Sequence, residues 1–273
     1  MTEFITRRRV LGVVLGLSLV VSACAHNPDS ARLSERQIKA QAMFFERCKT
    51  AGEKIHRAVA NVEGVYVMKV RPTSRNYGEQ FKLDDPYGKD LGGLGYIQTF
   101  VRGSYKEGHK GTPLPGSEPS PAGFGYAEAV DIEDGQRYRY TGRIEEPWEK
   151  DKSYLKGYTR FVLDKVVARG PAPRYGVTYD DISTREEREY WIAGSSLKVI
   201  DLQTGDVIAE RVGYMMDWAQ GSSSGGRSPW LWAFETACPT FKRNPNRLAG
   251  PASASTSYQA ARFVEKVLKP LSK

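Results

Sequence analysis

Two pairs of β-rich runs, each folded back on a turn signal, constrain this chain more than any other feature. Gly125 to Ile132 and Gln136 to Ile144 flank Asp134-Gly135, a pair that tolerates the positive φ of a tight two-residue turn. Trp191 to Leu202 and Val207 to Met216 flank Gln203-Thr204-Gly205-Asp206, where Gly205 is free to take the left-handed position. Tyr158 to Val167 and Tyr175 to Tyr179 read as further strands. So do Val65 to Val70, stopped by Pro72, and Tyr96 to Val101. Residues 72–93 are turn-rich, and 106–121, dense in Pro and Gly, read as a loop.

Helical spacing brackets this β-rich middle. Over 34–60, Ser34 and Gln37 make a capping box, and Ile38, Met43, Phe45, Cys48, Ile55 and Val59 fall near one face. A short capped turn is expected at Ser183-Thr184-Arg185-Glu186-Glu187. At the far end Tyr258, Ala261, Phe263, Val264, Val267 and Leu268 form an apolar stripe that Pro270 closes. The pattern predicts an α+β fold. A mostly antiparallel sheet of six to eight strands carries an N-terminal and a C-terminal helix packed on part of one face, in a single domain over 34–273.

The first 23 residues have another logic. Arg7, Arg8 and Arg9 make a positive n-region, Val10 to Val21 an apolar run broken only by Gly12, Gly16 and Ser18, and Ser22 and Ala23 a small-residue cleavage site. That order is a signal peptide. The apolar run, about 12 residues, is too short to cross a hydrocarbon core as a stable helix. Val21-Ser22-Ala23-Cys24 resembles the lipobox of bacterial lipoproteins. The resemblance implies that the Cys24 thiol receives a diacylglycerol, that the signal is cut before it, and that the new amino group is acylated with a chain such as palmitate. Ala25, where Asp would retain the protein in the inner membrane, implies sorting to the outer membrane, facing the periplasm. Thr6 to Leu11 resembles a twin-arginine export signal, and three consecutive arginines also satisfy an ordinary n-region, so both export routes stay open. Residues 24–33 then form a lipidated tether, polar and Pro-containing, expected to be flexible.

Cys24 leaves Cys48 and Cys238, an even pair for an oxidising compartment, and a disulfide between them is expected. It would tie the first helix to the segment before the last.

Of the formal charge of +8, Glu3, Arg7, Arg8 and Arg9 contribute +2, leaving +6 after the signal peptide. Net charge speaks to solubility before partners, so a solvated basic surface is the first reading. Acidic and basic residues are interspersed, with no long basic run, which argues against nucleic acid and leaves anionic headgroups, glycan or another envelope protein as partners. The chemistry-bearing patterns are thin. Gly221 to Gly225 matches G-x-S-x-G, but loop follows where that elbow needs a helix. The three histidines, His26, His56 and His109, lack metal-ligand spacing, and no motif implies a cofactor. Asp84-Asp85 and Asp180-Asp181 offer acid pairs for glycan cleavage, and turn chemistry accounts for them equally well.

The segment with most contact character runs from Tyr214. It holds Trp218, a Gly/Ser loop with Arg227, then Trp230 and Trp232, so three of the five tryptophans lie within 15 positions. Aromatics beside a polar loop with one Arg suit a contact surface, but large aromatics are mostly buried on average, which favours plugs in the core beneath a loop. Ile182 to Trp218 resembles uncharacterised proteobacterial lipoproteins, a resemblance that implies no activity. The resulting expectation is a non-enzymatic, periplasm-facing binding or assembly module. The alternative is a lipid-anchored hydrolase acting on peptidoglycan or glycan.

Overall fold

The computed structural model describes residues 33–73, 78–82, 90–103, 122–145, 159–240 and 258–271. The expected signal peptide and residues 24–32 of the expected tether, Cys24 among them, lie outside these, as do His26, His109, Asp84-Asp85 and the 106–121 loop. In chain order the elements are α1 (Glu35–Cys48), β1 (Gly52–Ile55), β2 (Val59–Val62), β3 (Gly64–Val67), α2 (Leu94–Val101), β4 (Tyr126–Val130), β5 (Arg137–Glu145), β6 (Arg160–Val167), β7 (Tyr175–Asp181), α3 (Arg185–Glu189), β8 (Ile192–Asp201), β9 (Asp206–Met216), α4 (Pro229–Trp232), β10 (Ala237–Cys238), α5 (Gln259–Val267) and β11 (Leu268–Pro270).

The chain is α+β. Among the described residues its main sheet has nine strands rather than six to eight, in the order β1-β9-β8-β7-β3-β4-β5-β6, with β10 also on β9; β2 and β11 form a separate parallel pair. The sheet is mixed. Both hairpins pair antiparallel as the turn signals predict, but β3 runs parallel to β4 on one side and to β7 on the other. Parallel neighbours need a crossover, and a helix is the compact way to make one. That is why Tyr96 to Val101, which reads as a strand, is α2: Tyr96, Ile97, Phe100 and Val101 are buried at helical spacing, with edge-on stacking of Tyr96 and Phe100 at 5.3 Å.

α1 keeps its expected cap, with Ser34 and Gln37 satisfying each other's backbone N–H groups. It ends at Cys48 rather than residue 60, because the following residues pair as β1 with Ala209 to Val212 of β9. Thr184 and Glu187 repeat the capping box at α3.

The two terminal helices cover opposite faces of the sheet rather than one. Alternation along β8 sends Leu197 and Val199 to the side where α2 and α5 pack, and Ile192 to the side where α1 packs. α5 buries Ala260, Ala261, Phe263, Val264 and Val267. α1 buries Ala40 and Phe44 against Ile192, Tyr214 and Met216. From Ser34 onward the described residues form one packed unit. Cys48, at the end of α1, is disulfide-bonded to Cys238 on β10, with Cα atoms 5.6 Å apart and a sequence separation of 190. Among the described residues no helix is long and apolar enough to cross a membrane.

Candidate functional site

The end of β9 delivers the aromatic segment. Tyr214 pairs with Gly194 and Met216 with Ile192, both on the α1 side, while Met215 points the other way with Ala193. Both faces are covered here, so Tyr214 is only 4% exposed. Trp230 is 3% exposed. Its ring sits 5.1 Å from that of Trp191, the Arg188 guanidinium lies 5.5 Å above it, and its indole N–H donates to the Glu79 carbonyl at 3.2 Å. Tyr214 and Trp230 are therefore core residues, a correction to their placement on a contact surface. Trp218 and Trp232 remain at the surface, 38% and 42% exposed.

Arg227 is also occupied. Its guanidinium grips the fully buried carboxylate of Asp217, Nη1 donating to Oδ2 at 3.0 Å and Nη2 to Oδ1. Asp217 further accepts from the backbone N–H groups of Ala219 at 3.2 Å and Gly221 at 2.8 Å. Gly221 lies flat on the Trp191 indole with φ +84°, where a Cβ would collide with the ring. The Gly/Ser loop is thus a turn organised by one buried acid. Its Ser224–Gly226 stretch is a short 3-10 turn rather than the helix a nucleophile elbow needs.

The acid pair within the described residues is held the same way. Asp180 pairs with Lys198 at 2.9 Å, while Asp181 accepts from the Ser183 N–H and pairs with Arg188. His56 is exposed, and its backbone N–H donates to the Ile208 carbonyl. Among the described residues no three His, Cys, Asp or Glu side chains gather as metal ligands.

Sequence reasoning missed a polar cluster under the start of α5. Asp90 accepts from the backbone N–H groups of Gln259 at 2.9 Å and Ala260 at 3.0 Å, a carboxylate at the positive end of a helix dipole. Arg71 approaches Asp90 at 3.4 Å and lies 5.2 Å from the rings of both Tyr96 and Tyr179. Arg211 donates to the Gln259 side chain at 2.6 Å. Arg71, Ser195, Arg211 and Gln259 line a pocket whose hollow is about 10 Å³, the size of one water. An organic ligand needs several hundred Å³, so this cluster fastens α5 to the sheet. Nothing local in the sequence flags it, because its members come from positions up to 189 apart only once the sheet has formed.

A second hub sits at the β8–β9 corner. The buried Asp201 carboxylate accepts from Arg174 at 3.0 and 2.8 Å, from Arg57, and from the Gln203 backbone N–H at 3.2 Å. The Arg174 hydrogen bonds are the main reason its pKa falls to about 2. Glu265 goes the other way: burial raises its pKa, although its carboxylate accepts from the Ala122 and Gly123 N–H groups.

No family model matches the chain, and neither the curated proteins nor the solved structures contain a match to it.

Proposed function

We propose that the chain is an exported envelope lipoprotein, acylated on Cys24 and held at the outer membrane, where its folded part faces the periplasm as a binding or assembly module. The observation that carries this is the Cys48–Cys238 bond. Disulfides of this kind persist in compartments outside the reducing cytosol, and the arginine n-region, apolar run and lipobox-like Val21 to Cys24 direct the chain to such a compartment. Support for a module over a hydrolase comes from the direction of the polar side chains. Asp180, Asp181, Asp201 and Asp217 all turn toward cations or backbone N–H groups of their own fold.

Metabolic labelling with palmitate tests the reading. The protein is expected to take up label and fractionate with membranes, and Cys24→Ser to do neither. Equal labelling of the two would overturn the anchor. An in-cell crosslink of the tagged protein should then capture an envelope component that the Cys24→Ser chain fails to hold.

A further inference from the structure

α1 has two apolar sides. One, Ala40 and Phe44, is consumed by the sheet. The other faces out: Ile38 is 54% exposed and Phe45 is 56% exposed, with exposed Ala42 between them. Steps of four and seven residues align these three along one side of the helix. The Cys48 bond, the Arg47–Glu187 pair and the stacking of Arg36 on the Tyr190 ring, at 4.9 Å, hold the orientation of the helix and keep this side outward. Exposed Trp218 lies near the start of α1, its backbone carbonyl accepting from the Gln37 side chain at 3.2 Å. Lys39 and Lys49 flank the line. Their partners, Glu186 and Glu46, are themselves well exposed, and ion pairs of that kind are weak enough in water to be exchanged for a phosphate.

We infer that this outer side of α1 is a membrane-contact face, which lies on the phospholipid surface to which Cys24 tethers the chain; the inference rests on the lipid-anchor reading above. Chain length selects the occupant. Nine residues, 25–33, separate Cys24 from the Ser34 cap, ten backbone steps that span at most about 35 Å. α1 is the first folded element after the anchor, so a bilayer is always within its reach. The side chains suit that surface. Ile38 and Phe45 supply apolar groups, lysines beside them reach headgroup phosphates, and a helix lying in the interface needs to bury its apolar line only shallowly. The net charge of +6 outside the signal peptide favours anionic headgroups.

The test uses the lipidated protein reconstituted in vesicles of phosphatidylethanolamine and phosphatidylglycerol, beside its Phe45→Trp variant. Position 45 is surface, so the exchange leaves the core intact. The emission added by the variant is expected to fall by about half or more when the acyl chains carry bromine, as a shallow insertion requires, and to resist aqueous acrylamide. Emission open to acrylamide and blind to bromine overturns the inference. Emission shielded from acrylamide but blind to bromine also overturns it, in favour of a protein partner on α1. The mass of Cys24 in the same sample separates the two readings. A bare Cys24 removes the anchor. The contact face then stands if bromine still quenches position 45, and falls with the anchor if it does not.

Discussion

Trp230 is sealed between Trp191 and the Arg188 guanidinium, whereas Trp218 lies partly in solvent. Truncating a buried tryptophan removes its contacts and leaves a cavity, so Trp230→Ala should cost about 3–5 kcal/mol. Trp218→Ala should stay within about 0.5 kcal/mol, because its side chain supports no core. Urea unfolding of the two variants checks this, and equal losses would place Trp218 inside the fold and remove it from any contact face. The sequence marks aromatic density in this segment but does not say which ring points where. Strand alternation usually decides that, and here it does not. The sheet is covered on both faces at this end, so Tyr214 and Met215 are both buried despite pointing opposite ways. Asp217 and Asp90 were invisible for a related reason. Each matters through backbone N–H groups that reach it only after a loop has closed or a helix has docked.

At the scale of elements, features set by neighbours in sequence were legible and features set by distant partners were not. The Gly205 turn and the capping boxes at Ser34 and Thr184 stand as read because a few consecutive residues determine each. The Asp134-Gly135 turn, by contrast, is wider than the two residues expected, with the Asp131 N–H donating to the Gln136 carbonyl and the Gly135 N–H to the Asp131 carbonyl. The extent of α1, the identity of α2 and the parallel pairing of β3 depend on which strands lie beside them. The Asp201 hub makes such a long-range junction testable, since it joins Arg57 after β1 and Arg174 before β7 to the β8–β9 corner. Its pKa is about 2 in the fold, against 3.8 ordinarily. The folded state therefore favours the ionised form. That stabilisation is complete above the unfolded value and is lost as pH falls through about 2. Asp201→Asn cannot ionise, so wild type should exceed it in stability at pH 5 and above, and the gap should close between about pH 4 and pH 2. Urea midpoints of the pair across that range measure the gap. A gap that stays constant would mean the carboxylate gains nothing from its ionised form here.

Across the whole molecule, the Cys48–Cys238 bond connects the start of the folded part to its last third. β9 already brings these regions together, because β1 pairs with it near Val212 and β10 near Tyr214 and Met215. α1 is held independently by Ala40 and Phe44 on the sheet and by the Arg47–Glu187 pair. The bond is therefore not needed to specify the native contacts, and its weight falls on the unfolded chain, where it closes a loop of 190 positions. In the chain-entropy picture a closure of that length stabilises by about 5 kcal/mol. Cys48→Ser/Cys238→Ser should consequently keep the native circular dichroism spectrum yet unfold at lower denaturant. It should also unfold with a steeper dependence on denaturant, because an unlinked chain exposes more surface. Guanidinium titrations of both proteins separate the possibilities. A lower midpoint with an unchanged slope would mean that the bond acts inside the fold, fixing α1 against β10. A lost spectrum would mean that the contacts of α1 and β9 do not assemble without it.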